Sequence, residues 1–125
     1  MKHQILFVDD EAPTRELVSL FFRKKGYLVT TATTAEEGRT LLDVNTYQLA
    51  LLDVNLAGEN GLDLLAYAKS KNRDLPVIIF TGLDFDEALV AAARARGADG
   101  CLSKTQSLFD LLAEVERLLP PSATQ

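Results

Sequence analysis

Tryptophan is missing from this 125-residue chain, and cysteine, histidine and methionine occur once each. The lone thiol, Cys101, has no partner for an internal disulfide, and with only His3 to join it no zinc site of familiar ligand spacing can be assembled. A free thiol fits a reducing compartment, so the expected location is the cytoplasm. Basic residues are in the minority: 13 lysines and arginines face 18 aspartates and glutamates, a net charge of -5. A surface of that sign repels a nucleic-acid backbone, so direct DNA or RNA binding by this segment is not expected. Long apolar runs are also lacking. The first, Ile5 to Val8, meets Asp9 and Asp10 too soon for a signal peptide or a membrane span, and no membrane contact is expected.

What is present is ordinary for a folded domain. Hydrophobic residues make up 47% and charged residues 25%, enough for one core without covalent staples. Four short apolar runs stand out: Ile5 to Val8, Leu28 to Ala32, Leu49 to Leu52 and Val77 to Phe80. Three of them lack polar alternation and read as strands buried on both faces, as a parallel sheet requires. Asp99 to Lys104 is a fifth strand, expected at an edge. Helical patterns fill the gaps. Pro13 to Lys25 carries Leu17, Leu20 and Phe21, with Gly26 as its cap. Thr34 to Asp43 opens with Thr34 and Glu37 at capping-box spacing. Gly61 to Lys71 places Leu62, Leu65 and Ala66 on one face. Asp84 to Arg96 opens with Asp84 and Glu87, and Ser107 to Leu119 bears a leucine stripe. Strand and helix alternate five times, with room for a right-handed crossover each time. The expected fold is α/β, a (βα)5 doubly wound five-stranded parallel sheet over residues 1–119. Pro120 to Gln125 reads as a tail or the start of a linker.

On that frame the charged residues gather. Asp9 and Asp10 end the first strand, Asp53 the third, Thr81 the fourth and Lys104 the fifth, all at the carboxyl rim where such sheets place their sites. Two carboxylates about 4 Å apart repel by about 4 kcal/mol at an effective dielectric of 20. Three in one cup call for a cation, and a hard divalent ion suits oxygen ligands. An aspartate beside such an ion, an ammonium and a hydroxyl is a candidate nucleophile toward phosphorus.

Val8-Asp9-Asp10-Glu11, Leu52-Asp53 with Leu56, Gly58 and Gly61, Phe80-Thr81-Gly82 and Ser103-Lys104 together resemble the receiver domain of two-component response regulators, over about Ile5 to Leu119. The resemblance implies a flavodoxin-like sheet of strand order 2-1-3-4-5. It implies a Mg²⁺ ion held by Asp10 directly, by Asp9 through water, by Asp53 and by the backbone carbonyl of Asn55. Asp53 would accept a phosphoryl group from a sensor histidine kinase or phosphotransfer protein, with Thr81 and Lys104 on the phosphoryl oxygens. Downstream would stand an output domain or protein, or a second copy of the chain in a homodimer. Such a domain is not an enzyme in the usual sense, although it assists its own phosphorylation and dephosphorylation.

Three positions depart from the family pattern. Cys101 replaces the tyrosine or phenylalanine that turns on phosphorylation. Thr105 replaces a proline that follows the lysine through a cis bond, so a trans Lys104–Thr105 bond is expected. Ala57 replaces a common proline after the acceptor, which predicts a looser loop. Other readings are weaker. An aspartyl phosphatase would place an aspartate where Asn55 stands. A nucleotide-binding domain would follow its first strand with glycines, not with Asp9-Asp10-Glu11. A degenerate receiver, serving as an interaction module without phosphorylation, is the main alternative.

Overall fold

The computed structural model describes residues 2–82 and 85–119. The chain runs β1 (Gln4–Val8), α1 (Ala12–Lys24), β2 (Leu28–Ala32), α2 (Ala35–Val44), β3 (Leu49–Leu52), β4 (Asn55–Leu56) and β5 (Glu59–Asn60). It continues through α3 (Gly61–Lys71), β6 (Val77–Thr81), α4 (Glu87–Ala95), β7 (Gly100–Ser103) and α5 (Leu108–Leu118). Five strands pair in parallel in the order β2-β1-β3-β6-β7. With the short β4–β5 hairpin set aside, this is the expected 2-1-3-4-5 order of a doubly wound, flavodoxin-like sheet.

The two-residue alternation of a strand sorts the core into two layers. Ile5, Phe7, Leu49, Leu51, Ile78 and Phe80 meet Val18 and Phe22 of α1 and Leu111 and Val115 of α5. Leu6, Val8, Ala50, Leu52, Val77 and Ile79 face the other way, toward Leu64, Leu65 and Ala68 of α3. Strands covered on both sides must be apolar throughout, which is why these runs show no alternation.

Some expectations need correction. In α1 the core-facing pair is Val18 and Phe22, while Leu17 and Leu20 are 58% and 53% exposed. Apolar residues at 17, 18, 20, 21 and 22 offer two overlapping stripes, and packing against β1 selects the second. In α3 Ala66 is exposed, and Leu64 and Ala68 join Leu62 and Leu65 inside. The fourth helix begins at Glu87, not Asp84, because Asp86 is the N-cap and its Oδ1 accepts from Leu89 N at 2.8 Å. Asp84 itself lies outside the described residues, as do 120–125. His3 is half-buried and stacks on Tyr27. The Thr34 cap of α2 is as expected, with its Oγ1 accepting from Glu37 N at 3.1 Å, but Glu37 reaches back to Thr33 N rather than closing a full box. No cis peptide bond occurs among the described residues, so Lys104–Thr105 is trans.

The hairpin β4–β5 has no counterpart in the sequence reading. Its turn, Ala57-Gly58, has φ of 50° and 89°, the left-handed pair of a type I′ turn, usually marked by Asn-Gly or Asp-Gly. Ala57 therefore occupies a region that costs a residue with a Cβ roughly 1–2 kcal/mol. Ala57→Gly is expected to raise stability by about 1 kcal/mol, read as a higher urea midpoint at unchanged slope. A lower midpoint would show that Ala57 carries no strain.

Candidate functional site

Each residue of the cup is delivered by a strand end. The amide of Asp9 is held by Ala32 O at 3.0 Å, that of Asp53 by Val8 O at 3.0 Å and that of Lys104 by Thr81 O at 2.8 Å. The sheet ladders thus run on into the site and fix its backbone. Gly61 sets the floor: a Cβ there would lie 1.9 Å from the Asp53 carbonyl oxygen, so only glycine lets α3 start this close. Asn60 caps that helix through Leu62 N at 2.8 Å.

The side chains converge. Thr81, fully buried, donates its hydroxyl to Asp53 Oδ1 at 2.8 Å, and Asn55 N approaches the same oxygen at 3.3 Å. The other oxygen, Oδ2, accepts from Lys104 Nζ at 2.8 Å. Lys104 Nζ also lies 2.7 Å from Asp9 Oδ2 and 2.8 Å from Glu11 Oε1. Asp9 is wholly shielded from solvent. Its Oδ1 takes the amide of Glu11 at 2.9 Å, and its Oδ2 has the Lys104 ammonium as its one close partner among the described residues. Asp10 Oδ2 accepts from Ala57 N at 3.0 Å, tying the hairpin to the cup. Arg15 braces the outside by donating to Asp9 O at 2.8 Å.

All the residues singled out from the sequence meet here: Asp9, Asp10, Asp53, Asn55, Thr81 and Lys104. Asp10, Asp53, Asn55, Thr81 and Lys104, together with Glu11, Gly82 and Thr105, line a cavity of about 400 Å³. Glu11 reads from the sequence as an ordinary surface residue, yet it reaches Lys104 across 93 positions. No local signal marks that contact.

Electrostatics follow from the burial. Desolvation pushes the Asp9 carboxyl above its ordinary value against the pull of Lys104. Burial alone would depress the Lys104 ammonium, but Asp53, Asp9 and Glu11 outweigh it and hold it well above its usual value. Glu11, on the surface, is drawn below the ordinary range by the same ammonium. Asp9, Asp10 and Asp53 offer oxygens within 4.8 Å of one another. Against one ammonium they leave two negative charges in surplus. The surplus charge and this all-oxygen donor set fit a hard divalent cation.

Cys101 is half-buried on the α4 side of the sheet, against the same cluster as Leu89 and Ala92, and burial raises its thiol. It packs as a small hydrophobe.

An open five-stranded parallel sheet with an acidic, lysine-bearing cup at its carboxyl rim is a flavodoxin-like α/β domain of the receiver type. The family model for the response regulator receiver domain matches residues 5–116. The chain is 36% identical over 119 residues to the regulatory protein VanRB of Enterococcus faecalis, covering 95% of this chain and 53% of that protein. It superposes on a CheY-like response regulator receiver domain protein from Methanospirillum hungatei with a TM-score of 0.89 at 28% identity, covering 94% of each chain. The response regulator protein TrrA of Thermotoga maritima, crystallised in complex with Mg²⁺-BeF, gives 0.84 at 29% identity, covering 94% of this chain and 99% of that one. The chain belongs to the response regulator receiver domains of two-component signalling. It spans about half the length of the curated relatives it matches. Among the described residues no helix is long and apolar enough to cross a membrane.

Ionised Asp9 opposes folding in the metal-free protein, because burial disfavours its charge. That cost is absent below the unfolded carboxylate range, near pH 4, and grows as pH rises through the raised folded value. Asp9→Asn, which leaves Lys104 with Asp53 and Glu11, is expected to stabilise chelator-treated protein by about 1 kcal/mol at pH 7. The advantage should shrink toward pH 4. Urea melts at the two pH values read this; a loss of stability at pH 7 would show that the Lys104 contact outweighs desolvation.

Proposed function

We propose that this chain is a working phosphoacceptor in which Asp53 takes a phosphoryl group from a phosphohistidine on a sensor kinase or phosphotransfer protein. One observation carries the reading: the buried Asp53 carboxylate sits on the wall of the cavity between the Thr81 hydroxyl and the Lys104 ammonium. A free aspartate with no task would not be held at both oxygens beside two further carboxylates.

Asp9, Asp10, Asp53 and the main chain of Asn55 are the residues that would hold Mg²⁺, the ion present with TrrA. When bound, the ion supplies charge neutralisation for carboxylates and phosphoryl oxygens crowded together. The chain's own residues do the rest. Asp53 turns one oxygen toward phosphorus, the P–N bond of the donor breaks, and its electron pair stays on the imidazole nitrogen, which takes up a proton. Thr81 and Lys104, now hydrogen-bonded to the carboxylate, pass to the new phosphoryl oxygens.

That passage is also the switch. Moving Thr81 pulls on the segment after β6 and on α4. Cys101 is too small to swing as a ring does, so Thr81 and the backbone carry the change. Residues 1–119 form the receiver unit and 120–125 a tail or the start of a linker. The output belongs to a further domain, a partner protein or a homodimer formed on activation.

Incubation with acetyl phosphate and Mg²⁺ is expected to add one hydroxylamine-labile phosphoryl group to the wild-type chain and none to Asp53→Asn. Intact mass measurement reads both. Equal labelling of the variant would defeat the assignment, and no labelling of either protein would leave the interaction-module reading in its place. Thr81→Ala should still be labelled, at a rate lower by about 10-fold, the scale of one lost hydrogen bond to a charged oxygen.

A further inference from the structure

Lys104 has more partners than one ammonium needs, and they differ in kind. Asp9 and Asp53 belong to the carboxylate cluster that fits a divalent ion. Glu11 stands outside it: its side chain is 61% exposed, it lies at the mouth of the cavity, and it still meets Lys104 Nζ at 2.8 Å. As the N-cap residue of α1 it makes no side-chain cap to the helix amides, and Lys104 is the largest influence on its carboxylate. A cation entering the cup competes with Lys104 for Asp9 and Asp53, because one carboxylate oxygen cannot fully serve both charges. Only Glu11 keeps its oxygen for the lysine once the cluster is occupied.

We propose that Glu11 is a positioning residue, the carboxylate to which Lys104 withdraws when a divalent ion occupies the acidic cup. This rests on the reading of Asp9, Asp10 and Asp53 as the ion's ligands. In the metal-free chain Glu11 is one of three anions around Nζ and contributes least, being exposed. In the loaded chain it is the lysine's one uncontested anion among those three. It therefore favours the loaded state and keeps the ammonium beside Asp53, where phosphoryl oxygens arrive, instead of releasing it to solvent.

The claim is one of coupling, so a cycle tests it. Mg²⁺ binding is measured by titration calorimetry on the wild-type chain, Glu11→Gln, Lys104→Met and the double variant. Glu11→Gln is expected to weaken Mg²⁺ binding about fivefold when Lys104 is present and by no more than about twofold in the Lys104→Met background, where only the long-range field of Glu11 remains. Equal losses in both backgrounds, or no loss in either, would overturn the proposal. Should Lys104→Met not fold, Glu11→Asp serves: it keeps the charge but shortens the reach. It is expected to behave like Glu11→Gln, and wild-type affinity would refute the contact. If the wild-type chain binds no Mg²⁺ at all, the cup reading itself fails, and the variants are not needed to see it.

Discussion

Like charges forced together at the rim of an apolar sheet are the constraint on which the rest of this molecule turns. Asp9, Asp53 and Thr81 are buried there, and Lys104 is the one cation among the described residues within ion-pairing distance of both aspartates. Surplus negative charge in a shielded cup is a standing cost. It is tolerable because the backbone of four strands is already locked by ladder hydrogen bonds, so the carboxylates cannot swing apart.

The hairpin is the cup's outer wall and ties it to a helix. Asp10 holds Ala57 N, and Glu59, four residues of hairpin away from Asn55, accepts from Ala35 N at 3.1 Å at the start of α2. Neutralising Asp10 would loosen Ala57, a residue already in a costly backbone region. Local strain beside a charged site recurs where structures are made to respond.

At the sheet's far edge the usual aromatic rotor is replaced by Cys101, half-buried against the core layer that α3 covers. A thiol has little volume to exchange between two positions.

Much of this could be read in order from the residues. The apolar runs of β1, β3 and β6 identify themselves because strands covered on both faces must be apolar, and their charged final residues identify the rim because helices cover everything else. What escaped the sequence was set by contacts between distant segments. The turn at Ala57-Gly58 lacks its usual residues and is held in place partly by Asp10. The buried face of α1 was chosen by β1 between two equally apolar stripes. The start of α4 went to Asp86 because that carboxylate meets the Leu89 amide. Glu11 gained its role only when β7 brought Lys104 beside it. Local periodicity and strand-end chemistry determined the fold and the members of the cup; which anion holds the lysine, and how the hairpin closes the wall, depended on distances that exist only once the strands are side by side.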